Sequence, residues 1–119
     1  MKIKIKLAVT VCLFACMAST SVYAMSLREL RGLDRSSKQG PEYKRFYLIG
    51  LLEGILAANE HAVRMGSKPL FCVDGRRLDP ITAVALFNTE MKRNADLYEA
   101  DMRVDLVMTN ALINAYTCN

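Results

Sequence analysis

The chain has a single histidine, His61, and four cysteines, two of which lie in its first 24 residues. With no second histidine and no zinc-type spacing of cysteines, the sequence offers no metal centre. Its glycines form no phosphate loop, and its acidic residues form no calcium loop. A cysteine nucleophile needs a neighbouring base, and the two remaining cysteines are better explained as a disulfide. We therefore expect a protein that is not an enzyme and holds neither cofactor nor metal.

The sequence also lacks an apolar run of the roughly 20 residues that a membrane helix needs. Its start has three lysines, then a mostly apolar stretch over residues 7–18 and a small-x-small site ending at Ala24. This order is typical of a secretory signal peptide. We predict a cleaved signal peptide over residues 1–24, one mature domain over residues 25–119, and no stable membrane insertion after cleavage.

Two alternatives for the N-terminus stay open from the sequence. One is a short membrane anchor. The other is a lipoprotein modified at Cys16, although Phe14 stands where lipid modification needs a small residue. Lipoprotein processing and signal-peptide cleavage would each remove Cys12.

The charge of the mature domain is close to neutral. The whole chain has 16 basic and 12 acidic residues, for a net charge of +4, but three of the lysines belong to the predicted signal peptide. Removing those three leaves 13 basic against 12 acidic residues, a net charge of +1. A nucleic-acid-binding protein needs a concentrated basic face, so we expect no nucleic-acid partner.

Two cysteines remain in the mature domain, Cys72 and Cys118. Small exported domains are commonly closed by disulfides, because their cores are modest. We predict a Cys72–Cys118 bond, which would stabilise the domain by about 4 kcal/mol through loop closure.

The breaker and capping residues predict an all-α fold, a small bundle of about four helices. Ser26 and Glu29 form a capping box for the first helix, and Asp79-Pro80 begins the third. The sequence predicts helices over about 27–35, 42–65 and 80–92, then a break over 94–100. It predicts a last helix that Asp101 caps and that ends before Cys118. No stretch alternates at a period of two, so little or no sheet is expected.

The second helix is the longest and is almost wholly apolar between Phe46 and Ala58. Such a helix is usually covered on more than one side. Gly50, Gly54 and Ala58 recur every four residues, and small residues there allow another backbone to approach. We predict that this stripe packs against another helix of the same chain. Self-association through it, as a homodimer, stays open as the alternative.

Two segments are candidates for contact with a partner protein. Asp74-Gly75 is a strong turn dipeptide, and it would present Arg76 and Arg77 beside the disulfide. Tyr98, in the predicted break, is a candidate aromatic anchor. The alternatives are a turn whose arginines contact only water, and an ordinary connection between helices.

Three motifs together resemble those of the Rap/Tai immunity proteins, over roughly residues 43–118. The stretch from Tyr47 to Gly54 is similar to their helix motif, Phe71-Cys72-Val73 to their first cysteine motif, and the stretch from Ala111 to Cys118 to their closing motif. The chain departs from the family at Asp74 and Thr117, where many members carry proline.

The resemblance implies a mostly helical periplasmic protein, often dimeric, with the same disulfide and close packing at Gly50 and Gly54. Characterised members bind and block peptidoglycan amidases delivered by type VI secretion. An immunity protein that occludes its amidase partner is therefore expected. A periplasmic acid-stress chaperone is the rival, because such chaperones are also small, helical and closed by one disulfide. An envelope protein with another partner also stays open.

Overall fold

The computed structural model describes residues 24–119. The predicted signal peptide, with Cys12 and Cys16, lies outside the described residues except for Ala24. Within the described part the fold is all-α, as predicted, with four helices, one short 3-10 helix and no strand. The predicted disulfide joins Cys72 to Cys118. No helix in this part combines the length and the apolar character needed to cross a bilayer.

The four helices follow the predicted order. Helix α1 covers Leu27–Ser36, α2 covers Gly40–Arg64, α3 covers Pro80–Arg93 and α4 covers Val104–Ala115. The predicted break after α3 contains the 3-10 helix, Ala95–Leu97.

Local capping explains most of these bounds. The Ser26 hydroxyl accepts from the Glu29 amide at 3.3 Å, and the Glu29 carboxylate accepts from the Ser26 amide at 2.7 Å, which confirms the capping box. Gly66, with a φ of 88°, follows the end of α2. The Asp79 carboxylate accepts from the Ile81 amide at the start of α3. Each of these capping residues lies within a few positions of the helix end that it determines. The helix ends could therefore be predicted from the sequence.

The prediction that Asp101 caps the last helix is wrong. Helix α4 begins at Val104, whose amide donates to the Met25 carbonyl at 2.9 Å. The Asp101 carboxylate instead pairs with Arg28 of α1 at 2.9 Å. The Ala100 and Met102 carbonyls accept from the Arg28 and Leu27 amides, and this pairing with the start of α1 makes the last helix start later than its local sequence suggests.

The core lies where α2, α3 and α4 meet, and α1 packs against α2. Its members share almost complete burial of an apolar side chain. They include Leu27, Leu30, Leu48, Leu52, Phe71, Ala83, Phe87, Val104, Val107, Met108 and Leu112.

The prediction that Gly50, Gly54 and Ala58 pack against another helix of the same chain is wrong. All three are exposed, and a Cβ added to either glycine would have no atom within 4 Å. Helix α2 directs Leu48 and Leu52 into the core. At about 100° per residue, these leucines lie on the side opposite Gly50. The apolar middle of α2 is therefore covered on one side of the monomer only.

Gly54→Ala should raise the free energy of unfolding of the monomer by about 0.5–1 kcal/mol, since it removes the entropy cost of a helical glycine. Gly40→Ala is the control, because its Cβ would lie 1.7 Å from the Leu33 carbonyl oxygen. That clash should lower the free energy of unfolding by about 1–3 kcal/mol. Chemical denaturation at low protein concentration measures both. A destabilised Gly54→Ala monomer would show that this side of α2 is packed after all.

Candidate protein-binding surface

The loop between α2 and α3 contains a tight turn over Val73–Arg76. Asp74 and Gly75 have φ values of 51° and 71°, and the Arg76 amide donates to the Val73 carbonyl at 3.0 Å. Two successive positive φ values are the pattern of a type I′ turn, which Asp-Gly favours. The predicted turn at Asp74-Gly75 is confirmed.

A disulfide and a backbone hydrogen bond link the turn to the C-terminal end of α4. Cys72 is disulfide-bonded to Cys118, and its amide donates to the Tyr116 carbonyl at 2.8 Å. The Arg76 guanidinium lies over the Tyr116 ring, 5.1 Å from its centroid, and its Nε donates to the Val73 carbonyl at 3.0 Å. The Arg76 side chain thus stabilises the turn, although it is also exposed to solvent.

Hydrogen bonds from Asn59 of helix α2 stabilise the other side of the same loop. The Asn59 side chain donates from Nδ2 to the Phe71 carbonyl at 3.1 Å, and its Oδ1 accepts from the Leu70 amide at 2.8 Å. The Phe71 ring is buried in the core. The sequence reasoning missed Asn59, although a lone asparagine beside the apolar stretch of α2 was a signal.

The turn presents Asp74, Gly75, Arg76 and Arg77 to solvent. Asp74 lies 3.6 Å from Arg76, so that pair partly neutralises itself. Arg77 makes no ion pair with any residue in 24–119. Its charge is therefore available to a partner.

An open groove of about 400 Å³ runs from the end of α2 to the turn. Val63 and Leu70 are exposed in this region. Many protein–protein interfaces combine apolar side chains with arginines. We call the turn and the groove together the turn surface; the groove is lined by Asn59, Glu60, Val63, Arg64, Pro69, Phe71, Cys72 and Asp74.

The prediction that Tyr98 is an exposed anchor is wrong. Its side chain is 9% exposed, and its hydroxyl donates to a Glu90 carboxylate oxygen at 2.5 Å while accepting from Asn110 at 3.1 Å. The chain after the 3-10 helix places the Tyr98 side chain at the junction of α3 and α4. Tyr98 supports the fold rather than the turn surface.

Glu90 is the centre of that junction and is 4% exposed. Besides the Tyr98 hydroxyl, its carboxylate accepts from Asn94 at 2.9 Å and from Asn114 at 3.0 Å. Burial raises the pKa of Glu90, but these three hydrogen bonds outweigh it and hold the pKa below its usual value. Burial, with the hydrogen bond to Glu90, raises the pKa of Tyr98. The sequence reasoning did not find this network.

His61 is exposed on α2. In residues 24–119, no three side chains of histidine, cysteine, aspartate or glutamate are placed to hold a metal ion.

Glu90→Gln should remove part of the acid sensitivity of folding. Since folding lowers the pKa of Glu90, the carboxylate's contribution to stability is fully present above the unfolded pKa of about 4.3 and is lost as the pH falls through the folded pKa. At neutral pH the amide mismatches one donor, and the free energy of unfolding should fall by about 1–3 kcal/mol. Urea unfolding between neutral and acidic pH measures this, with the exposed Glu99→Gln as control. Parallel pH profiles for Glu90→Gln and the unchanged chain would contradict it.

No protein-family model, curated protein or solved structure matches this chain.

Proposed function

We propose that the mature chain is a periplasmic immunity protein that binds a peptidoglycan amidase delivered by type VI secretion and blocks its active site. The observation that carries the proposal is the turn surface, an exposed turn held in one conformation from both sides. A loop ordered in advance loses little conformational entropy on binding. The motif resemblance to the Rap/Tai proteins supports the class of partner, and the disulfide fits an oxidising compartment such as the periplasm.

The mechanism we propose is steric occlusion. The tip residues Asp74, Gly75 and Arg77 would enter the amidase cleft, while Val63 and Leu70 pack against its rim. Arg76 would stay on Tyr116 and keep the turn rigid. No step requires chemistry from this chain, because a covered cleft cannot admit a peptidoglycan strand.

A homodimer is the second part of the proposal. Its support is the side of α2 that carries Tyr43 and Phe46, which are 56% and 62% exposed. Aromatic side chains contribute strongly to protein interfaces. This side of α2 does not include the turn.

Co-expression tests the immunity function. The full chain should restore growth of cells in which the amidase encoded beside its gene is directed to the periplasm, and the purified mature chain should inhibit peptidoglycan hydrolysis by that amidase. A catalytically inactive amidase controls for toxicity unrelated to hydrolysis. Absence of both rescue and binding would contradict the proposed immunity function.

Arg77→Glu tests the turn. It should weaken binding to that amidase at least tenfold, about 1.4 kcal/mol, because it reverses a charge that has no partner among the described residues. The melting temperature should not change. Arg35→Glu, at an exposed arginine on α1, is the matched control and should bind normally. Equal binding by both variants, measured by calorimetry, would show that the turn is not the contact.

An acid-stress chaperone is a second candidate, and the Glu90 network favours it. In strong acid the Glu90 carboxylate is protonated, and the junction of α3 and α4 loses the negative charge and part of the acceptor capacity that its three donors need. Weakening this junction would expose apolar surface. If this is the function, the chain should bind the dye ANS and suppress aggregation of a denatured client protein at about pH 2–3. A chain that does neither is not such a chaperone.

A further inference from the structure

Two adjoining cavities lie between α1, α2 and α3, near the start of α2, whereas the turn surface lies at the end of that helix. Their volumes are about 200 Å³ and about 250 Å³, and Lys44 and Asn88 line both. Sites for small molecules usually have volumes of about 300–1,000 Å³, so the two cavities together reach this range. We call them the basic cleft; its polar rim is formed by Arg31, Asp34, Lys44, Arg45 and Asn88.

The floor of the basic cleft is apolar and consists mainly of core side chains. Leu30 and Phe87 line the cavity next to α1, Leu48 lines the other cavity, and all three are buried. The half-buried Met91 and Val84 extend this floor along α3. A ligand in the cleft would therefore remove its own apolar surface from water against side chains that folding has already ordered.

The rim carries an excess of positive charge. Lys44 pairs with Asp34 at 2.8 Å, and the Lys44 side chain is 26% exposed. Arg45 lies 3.5 Å from Glu42, and both side chains are exposed, so solvent screens this pair. Arg31 makes no ion pair with any residue in 24–119. Three cations against two carboxylates leave a net charge of +1, and Arg31 is the cation without an ion-pair partner in the described residues.

We propose that the basic cleft binds a single-chain amphiphilic anion, a carboxylate on an alkyl chain. The carboxylate would accept hydrogen bonds from the Arg31 guanidinium and the Lys44 ammonium, which line the same cavity. Its single negative charge matches the excess charge of the rim. The alkyl chain would lie along the floor, which follows α3 from Met91 to Val84 over about 10 Å, the length of an alkyl chain of about eight to ten carbons. This inference depends on neither the amidase nor the homodimer.

The burial of the floor favours a ligand free in solution over a lipid within a bilayer. A protein that binds a membrane surface inserts exposed apolar side chains between the lipids. In the basic cleft, none of the five floor side chains is exposed. The ligand must therefore enter the cleft, and a free single-chain amphiphile can do so. An acidic protein or a nucleic acid would contact the rim but leave the floor unused.

Decanoate is the probe, added to the oxidised mature chain at neutral pH and below its micelle-forming concentration. For a ligand of about twelve non-hydrogen atoms, we expect a dissociation constant of about 0.1–1 mM. An NMR titration should shift the amide signals of residues that line the cleft on α1, α2 and α3, and leave the signals of the turn at Asp74-Gly75 unchanged. Absence of shifts up to about 10 mM decanoate, well above the expected constant, would overturn the inference.

Two further probes separate the contributions of the charged head and the alkyl chain. Acetate has the carboxylate without the chain, and decyltrimethylammonium has the chain with a cationic head. Each should bind at least tenfold more weakly than decanoate. If acetate binds as tightly as decanoate, the floor is not used; if the cation does, the rim is not used. Either result would overturn the inference.

Charge reversal at Arg31 tests the α1 side of the cleft. Arg31→Glu should weaken decanoate binding at least tenfold without changing the melting temperature, because Arg31 is exposed and has no ion pair to lose in the described residues. Arg35→Glu is the matched control, since Arg35 is exposed one turn later on the same helix and lines neither cavity. Equal affinities of the two variants would overturn the inference.

A second pair of variants tests the α3 side. Asn88 is exposed and lines both cavities, whereas the neighbouring Thr89 is exposed and lines neither. Asn88→Glu should weaken decanoate binding at least tenfold, because the added carboxylate repels the head or pairs with Lys44. Thr89→Glu, with the same change of net charge, should bind like the unchanged chain. Normal binding by Asn88→Glu would show that the ligand does not lie in the cleft.

Vesicles distinguish a free ligand from a bilayer lipid. Vesicles of phosphatidylcholine and phosphatidylglycerol present the same chemistry, an anionic head on alkyl chains, but within a membrane. Centrifugation should leave the mature chain in the supernatant with these vesicles. Sedimentation of the chain with the vesicles, whether or not decanoate binds, would mean that the rim contacts a membrane surface, and the inference of a free ligand would be wrong.

Discussion

The turn surface depends on the bond between Cys72 and Cys118. The loop between α2 and α3 places one side chain, Phe71, fully in the core, and residues 117–119, which follow α4, are exposed. Neither segment has enough burial to stay ordered by itself, since chain ends and exposed loops fray readily. Joining them across a separation of 46 residues stabilises the fold by about 4 kcal/mol. This is a large share of the 5–15 kcal/mol typical of a domain.

The disulfide also determines what the turn can present. It brings Tyr116 beside the turn, and the ring of Tyr116 then holds Arg76. Asn59 fixes the other side of the loop to α2. Arg76 and Arg77 consequently differ in role. The Arg76 side chain is held against Tyr116, whereas Arg77 has no ion-pair partner in the described residues. A cation held in this way keeps its position when a partner approaches, and the cost of ordering the turn is met during folding.

Helix α2 and the Glu90 network show two ways in which a small bundle departs from its sequence pattern. Helix α2 is apolar around most of its middle, yet the domain has only enough other helices to cover one side. The junction of α3 and α4 is the reverse case, a carboxylate within an apolar core. Three donors satisfy the Glu90 carboxylate, which makes no ion pair within residues 24–119. A buried carboxylate bound in this way costs less free energy than an unpaired one.

The sequence by itself determined the features whose causes are local. The capping box at Ser26, the Asp74-Gly75 turn, the ends of α2 and α3, and the all-α class all follow from residues a few positions apart. The disulfide could be predicted because only two cysteines, Cys72 and Cys118, remain in the predicted mature domain. The side that α2 buries, the burial of Tyr98 against Glu90, and the pairing of Asp101 with Arg28 could not be predicted in this way. Each of these three features brings together residues from different helices or loops. The sequence alone does not show whether a given side chain is exposed or buried, because that depends on how the helices pack. Tertiary structure therefore decided which of the predicted contact residues face solvent, because exposure is a property of the packed chain and not of any segment.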